Sequence, residues 1–305
     1  MAFLTVCLNP TIQKTLRFQS IVSGTVNRAA LHRLDVSGKG INVTRVLTQL
    51  GKKAVHLTQL GGVMKPLFLS LCEKDKLSVE WAESESQIRF CYTLLTDGSV
   101  TELVEESQPV AAGTEERLLE KYEKLLNCAS HLVISGTKAG GFSDNMFPVM
   151  ARKAKEKGLC IILDIKGKDL IECLKYEPEI IKPNLFEFAA TFAPQLIKDN
   201  DILINDDKEK EKIKSAVFDI TQKYKCRVIL TNGSRKLFAA DREDFLEFDI
   251  KQAKTVNSIG CGDAFTAGLA SALEDGADFS VAINEGMRCG ALNAELEKPG
   301  CINDC

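Results

Sequence analysis

The feature that most constrains this 305-residue chain is an alternation of short apolar runs with longer amphipathic ones. Phe3–Leu8, Ala54–Leu60, His131–Ser135, Cys160–Asp164, Ile180–Lys182 and Arg227–Thr231 have strand length and strand composition. Between them, Asn42–Leu50, Glu115–Asn127, Asp144–Lys157 and Lys208–Tyr224 carry apolar residues at helical spacing. Strands alternating with helices predict βαβ units, and so an α/β fold with a mainly parallel sheet covered on both faces. Ligands of such sheets bind beyond the carboxyl ends of the strands.

Two regions break the alternation. Residues 11–37 and 88–106 read as extended polar–apolar alternation, and "TDGS" at 96–99 is a hairpin turn signal. These strands are too few and too polar for a core of their own. They predict either ordinary surface hairpins or a small β lid over one end of the main sheet, and the lid is the reading adopted. Leu237–Ala240 and Phe245–Phe248 predict an antiparallel extension, and Gly262–Glu274 and Phe279–Leu296 two closing helices. The linker-like "IKDNDILINDDKEKEK" at 197–212 reads as a solvated loop and helix start inside one domain spanning 1–305.

Composition narrows the function. A net charge of −3 argues against nucleic acid or a membrane surface as the main partner. No apolar stretch is long enough to span a bilayer, and the N-terminus lacks the pattern of a secretion signal. The 11 cysteines include no CxxC pair, and Cys301 and Cys305 form a lone CxxxC. They read as reduced thiols used as small hydrophobes, as expected in a cytoplasmic protein. With only three histidines, none at ligand spacing with a cysteine, zinc is not expected and acid–base chemistry falls to a carboxylate.

Two glycine-rich stretches carry the chemistry. In "VNSIGCGDAFTAG", Gly260, Cys261, Gly262 and Asp263 precede an Ala-rich helix. A helix N-terminus leaves N–H groups unpaired and partly positive, and glycines let an anion approach them. Asp263 there is expected to stay ionised and to serve as a base. A capping Asp with turn glycines explains the same residues equally well. In "VSGKGINVTRVLTQLG", Gly38 and Gly40 flank Lys39, and Asn42 opens a helix. Backbone and ammonium can both reach an anion there, and Asn42 a hydroxyl; a turn with a solvated lysine is the plainer reading. No segment fits a Walker A loop, and neither Gly-x-Gly has the third glycine of a dinucleotide fingerprint.

Together these stretches resemble the PfkB (ribokinase-like) carbohydrate kinases over nearly the full chain. "SGKGINV" is similar to the family's N-terminal signature and "NSIGCGDAF" to its C-terminal one. The resemblance implies a three-layer αβα fold with a β-sheet lid, ATP as phosphoryl donor and Asp263 as base beside the N–H groups of Gly260, Cys261 and Gly262. "IIKPNLFEF" resembles the family's K-P-N-x-x-E, which implies that Asn184 and Glu187 hold the water shell of Mg²⁺. Thr231, Gly233 and Ser234 in "ILTNGS" are then expected at nucleotide phosphates and Asn293 near adenine. The opening "TVCLNPTIQKTLRF" and "GTVNRA" are most similar to 1-phosphofructokinases and tagatose-6-phosphate kinases within the family. That implies a phosphorylated ketohexose as acceptor, fructose 1-phosphate first and tagatose 6-phosphate second. Lys39 and Arg89 are implied to hold its phosphate, assisted by Arg28, and a homodimer through the lid is expected.

Several residues depart from the pattern. Gln13 stands where an Asp binds sugar hydroxyls, and "SGTKAGG" replaces a proline-containing turn. Asn257 and Ser258 replace Asp-Thr, and Cys261 replaces an alanine. A catalytically weak, ligand-binding relative and a kinase of unphosphorylated substrates are the alternatives these departures leave open. Cys261 reads as a stand-in for alanine, with a reactive thiolate as the other reading.

Overall fold

The computed structural model describes residues 2–197, 202 and 207–303. Its main sheet starts with β1 (Ala2–Leu8), which is apolar and buried almost throughout. Buried on both faces, such a strand belongs in the middle of a parallel sheet. On one side it pairs in parallel with β4 (Ala54–Leu60), which pairs with β5 (Ser78–Glu83) at the edge. On the other it pairs in parallel with β8 (Ala129–Lys138), followed by β9 (Cys160–Asp164), β10 (Ile180–Ile181) and β11 (Arg227–Leu230). β12 (Leu237–Ala240) and β13 (Phe245–Phe248) add antiparallel strands, giving the order β13-β12-β11-β10-β9-β8-β1-β4-β5.

Helices cover both faces. α3 (Thr114–Leu126), α4 (Met146–Glu156), α5 (Gly167–Leu174), α6 (Leu185–Phe192) and α7 (Asp207–Tyr224) supply one buried layer, with Tyr122, Phe147 and Phe188 at its centre. α1 (Lys39–Gln49), α8 (Cys261–Glu274) and α9 (Phe279–Ala294) supply the other, built on Val43, Phe265 and Ile283. The αβα layering is therefore as the sequence predicts. Gly268 shows how tightly α8 and α9 pack: a Cβ there would lie 2.7 Å from Cys289 Sγ.

The two irregular regions form a separate four-stranded sheet. β2 (Thr11–Arg17), β3 (Leu31–Ser37), β6 (Arg89–Thr96) and β7 (Ser99–Val104) run in the order β3-β2-β6-β7. β2 pairs with β6 in parallel and each pairs with its outer neighbour antiparallel. The lid is rooted on Ile12, Val36, Ile41 and Phe68, the last from α2 (Lys65–Lys74).

Some boundaries differ from expectation. The helix expected from Asn42 starts at Lys39, because Gly38 (φ 113°) turns the chain straight out of the lid into the helix. The strand expected to end at Lys182 stops at Ile181, and that expected to end at Thr231 stops at Leu230, beyond which Asn184 and Thr231 meet in a single parallel bridge. α2, β5 and α5 were not foreseen, being short or at the sheet edge. Half of the stretch expected as a loop and helix start at 197–212, and Cys305, lie outside the described residues, while α7 begins at Asp207 within it. Among the described residues, the cysteines from Cys7 to Cys289 are free thiols.

Candidate active site

Beyond the carboxyl ends of β1, β8, β9, β10 and β11, and beneath the lid, lies a cleft of about 480 Å³. Its position follows from the topology: the chain leaves β1 for β4 and β5 on one side and returns to β8 on the other, so the connections diverge there.

The floor is built from two helix N-termini. α8 begins after Gly260, held at φ 84°, a left-handed conformation suited to glycine. A side chain at 260 would also strike Gly300 N at 2.4 Å. No side chain caps α8, and among the described residues the N–H groups of Gly262 and Asp263 have no backbone acceptor. α1 begins likewise after uncapped Gly38. Gly38, Gly260, Gly262 and Asp263 all line the cleft.

A charge cluster sits beside these helix ends. Asp164 at the end of β9 is buried, and it accepts a hydrogen bond from Ser135 Oγ at 3.1 Å. Lys182 Nζ lies 3.3 Å and Lys39 Nζ 3.5 Å from the same Asp164 oxygen. Burial would raise the Asp164 carboxyl, but Lys182 and Lys39 outweigh it and hold it below the usual carboxylate value. Asp164 correspondingly pushes the Lys39 ammonium upward against the opposing effect of burial. Two ammonium groups thus share one carboxylate next to a helix N-terminus, an arrangement that leaves room for another negative charge. Lys182 was not foreseen as a site residue, and Asp164 only as a strand end. A charged residue closing an apolar run is the signal that marks both.

Asp263 is buried and accepts a hydrogen bond from Asn42 Nδ2 at 2.8 Å. Its carboxyl does not stay at the ordinary value expected for a helix N-terminus. Burial pushes it up to about 6, with Lys39 opposing and Asp164 reinforcing the rise. Desolvation wins over the dipole because the whole carboxylate is taken from water. A carboxylate with this value is suited to take a proton near neutral pH. Asn42 is correspondingly a partner of Asp263, committed to it by a hydrogen bond.

The lid closes the other side. Gln13 lines the cleft and donates from Nε2 to Thr93 Oγ1 at 2.6 Å. Arg89 also lines it; its guanidinium donates to Glu105 O at 3.1 Å, while the buried Nε has no hydrogen-bond partner among the described residues. Glu102, on β7 opposite Thr93, adds an acid at the rim that was not anticipated.

At the opposite end, Asn184 and Glu187 form a capping box on α6. Asn184 Oδ1 accepts from Glu187 N at 2.7 Å, and Glu187 Oε2 accepts from Asn184 N at 3.1 Å. Thr231 is tied to this turn, its carbonyl accepting from Leu185 N at 2.9 Å, and all three residues line the cleft. No cluster of three or more His, Cys, Asp or Glu that could hold a metal occurs among the described residues. Glu187 Oε1 lies 3.3 Å from Lys166 Nζ, so the pair is held by the capping box and an ion pair at the rim of the cleft.

Other expected site residues lie elsewhere. Arg28 is exposed on the β2–β3 connection and does not line the cleft, since the loop carries it outward. Gly40 packs α1 onto the sheet: a Cβ there would meet His56 Cε1 at 2.6 Å and Cys7 Cβ at 2.8 Å. Gly233 and Ser234 are exposed in the turn beyond β11, outside the lining. Asn293 is wholly buried, donating to Ile259 O at 2.9 Å and accepting from Cys301 N at 3.1 Å, so it braces the Gly260 loop against the C-terminal segment. Cys261 Sγ lies 3.3 Å from Asn293 Nδ2, and burial pushes its thiol up to about 11, which argues against a reactive thiolate.

Sheet, lid and cleft define a lidded αβα scaffold in which a buried carboxylate lies beside two helix N-termini and two lysines. The family follows from comparison. Residues 6–304 match the model for the pfkB family carbohydrate kinases, and the chain belongs to that family. It is 29% identical to a tagatose-6-phosphate kinase from Staphylococcus epidermidis over 303 residues, 98% of this chain and 94% of the relative. Its fold matches a possible 1-phosphofructokinase from Thermotoga maritima with a TM-score of 0.85 at 20% identity, covering 98% of this chain and 93% of the other. Phosphofructokinase-2 from Escherichia coli matches with a TM-score of 0.83 at 20% identity, covering 97% of this chain and 94% of the other.

Proposed function

We propose that the protein transfers the terminal phosphoryl group of ATP to a hydroxyl of an already phosphorylated ketohexose in the cytoplasm. The observation that carries this reading is the pairing of Asp263 with an anion-binding floor: Lys39, Lys182 and the open N–H groups of Gly262 and Asp263 surround one cleft. Asp263 takes the proton of the attacking hydroxyl, and the N–H groups of Gly262 and Asp263 stabilise charge on the transferred group, whereas the Cys261 N–H, expected with them, donates to Ser258 O at 3.4 Å. Lys39 and Arg89 bind the phosphate the sugar already carries; the unpartnered Arg89 Nε supports its share. Asn184 and Glu187 would hold Mg²⁺ through its waters, where it would supply positive charge to the ATP phosphates. Catalysis of this kind is positioning and electrostatics.

Fructose 1-phosphate is the first proposed acceptor. Tagatose 6-phosphate is the second, favoured by the full-length similarity to a tagatose-6-phosphate kinase. A coupled ADP-release assay over both, with fructose and a nucleoside as unphosphorylated controls, separates them. Turnover confined to phosphorylated ketohexoses is expected. Tight binding of sugar phosphate and ADP without turnover would instead mark a binding protein, a reading motivated by Gln13.

The lid carries exposed apolar side chains, among them Leu31, Leu103, Ile21, Val22 and Val26. We propose that two lids pair in a homodimer. Light scattering at micromolar concentration should return twice the chain mass of 33.5 kDa, and a monomer mass would contradict the pairing.

A further inference from the structure

We propose that Arg45, which does not line the cleft, is a positioning residue: it fixes the orientation of the Asp263 carboxylate through the Asn42 amide. The inference rests on the reading of Asp263 as the base.

Asn42 and Arg45 lie three residues apart on α1, so they share a face. Arg45 is 2% exposed, an unusual place for a guanidinium unless every donor is used. Its NH1 donates to Asn42 Oδ1 at 3.0 Å and to Pro299 O at 3.1 Å. Its Nε donates to Asp75 Oδ2 at 2.9 Å, and its NH2 to Val36 O at 2.5 Å. Lys298 Nζ holds the other Asp75 oxygen at 2.6 Å. The end of the lid strand β3, the end of α2 and the C-terminal segment therefore all clamp one guanidinium in place.

The chemistry of the chain Arg45–Asn42–Asp263 then has only one good arrangement. A guanidinium only donates, and an ionised carboxylate only accepts. The amide between them must turn its oxygen to Arg45 and its NH₂ to Asp263, as it does at 3.0 and 2.8 Å. A flipped amide would replace both hydrogen bonds by two repulsive contacts. Ser37 Oγ also lies 3.3 Å from Asn42 Oδ1, but a hydroxyl donates and accepts, so it cannot sort the amide by itself. Asn42 has no room to swing: Gly300 packs so close that a Cβ on it would come within 2.3 Å of Asn42 Cβ. With Oδ2 of Asp263 held by Asn42, Oδ1 has no hydrogen bond among the described residues and is left to receive the substrate's proton.

The test is a double-mutant cycle on the full-length protein, read as kcat and KM with the acceptor that the wild type turns over. Asn42→Ala should lower kcat by about 10–100-fold. Arg45→Lys, which keeps the charge but loses the fork, should lower kcat by about 10-fold, with KM for both substrates within about two-fold. The double variant should be no slower than Asn42→Ala by more than about two-fold, because Arg45 acts only through Asn42. A double variant slowed by the product of the single effects would overturn the proposal, as would a folded Arg45→Lys protein with wild-type kcat.

Should Arg45→Lys not fold, Arg45→Gln combined with Asp75→Asn, compared with Asp75→Asn alone because Lys298 loses its Asp75 contact in both, removes the Arg45–Asp75 pair. It should show the same loss of kcat, and wild-type kcat in that folded pair would equally overturn the proposal. A readout independent of turnover is the ¹³C NMR titration of the Asp263 carboxyl without substrates. The charged groups facing it, Lys39 on α1, Lys182 after β10 and Asp164 on β9, are the same in wild type and Arg45→Lys. Loss of the Asn42 hydrogen bond should raise the midpoint, and an unchanged midpoint overturns the proposal. If the wild type phosphorylates no sugar phosphate, the proposed function fails, while the titration still decides the role of Arg45.

Discussion

Asp263→Asn is expected to lower kcat by about 10²–10⁴-fold, the range typical of losing a general base in a positioned site. KM for ATP should change little, because the amide fills the same volume. Stability should not fall. The folded-state value of about 6 lies above that of an unfolded aspartate, so the native protein binds this proton more tightly than the unfolded chain. Asp263 therefore weakens the fold as pH rises through the window between the unfolded value and about 6, and the ionised group remains destabilising above it. The Asn variant should melt higher than wild type at pH 7.5 and show less difference below about pH 4. The same group sets the acid limb of the rate. For the wild type, kcat/KM should rise with pH and level off above about 6, and the Asn variant should lose that limb. Near-wild-type turnover of Asp263→Asn would remove Asp263 from the chemistry.

Asp164→Ala is expected to cost stability instead. The deletion leaves Lys182, 3% exposed, without the carboxylate 3.3 Å away, and also strips Lys39 and Ser135 of a partner. Breaking a buried pair by removing one member costs about 3–5 kcal/mol, because the remaining charge stays buried. Denaturant unfolding should show a midpoint lowered by an amount of that order, with the slope unchanged. Asp164→Asn, which can still accept from Ser135 and Lys182, should lose less. A loss below about 1 kcal/mol in Asp164→Ala would show that the two lysines find other acceptors or water.

The fold was legible because its central strands are buried on both faces and so read as nearly continuous apolar runs; Phe3–Leu8 and Cys160–Leu163 are examples. β5 and α2 escaped because their burial is partial and their patterns weak. At Gly260–Asp263 the sequence reading left punctuation and chemistry in balance, and the open N–H groups beside Lys182 are what favour an anion site. The motif glycines divided into two kinds that sequence cannot tell apart: Gly38, Gly260 and Gly262 face the cleft, while Gly40 makes room for His56 and Cys7. Asn42 and Asp263 are 221 residues apart, so their hydrogen bond was invisible until the fold joined them. Desolvation of Asp263 was missed for the same reason: burial comes from packing across α1, α8 and the C-terminal segment, which no local pattern reports. Asn293, expected at a ligand, serves instead as an internal brace because α9 turns it toward Ile259 and Cys301.

The most direct measurement is ³¹P NMR of purified protein with Mg²⁺, ATP and either fructose 1-phosphate or tagatose 6-phosphate. ADP and a second sugar phosphomonoester resonance should grow together, one for one, with one of the two acceptors, and neither should form with Asp263→Asn. ADP formed without a sugar bisphosphate, or no reaction with either acceptor, would contradict phosphoryl transfer to a ketohexose phosphate in this cleft.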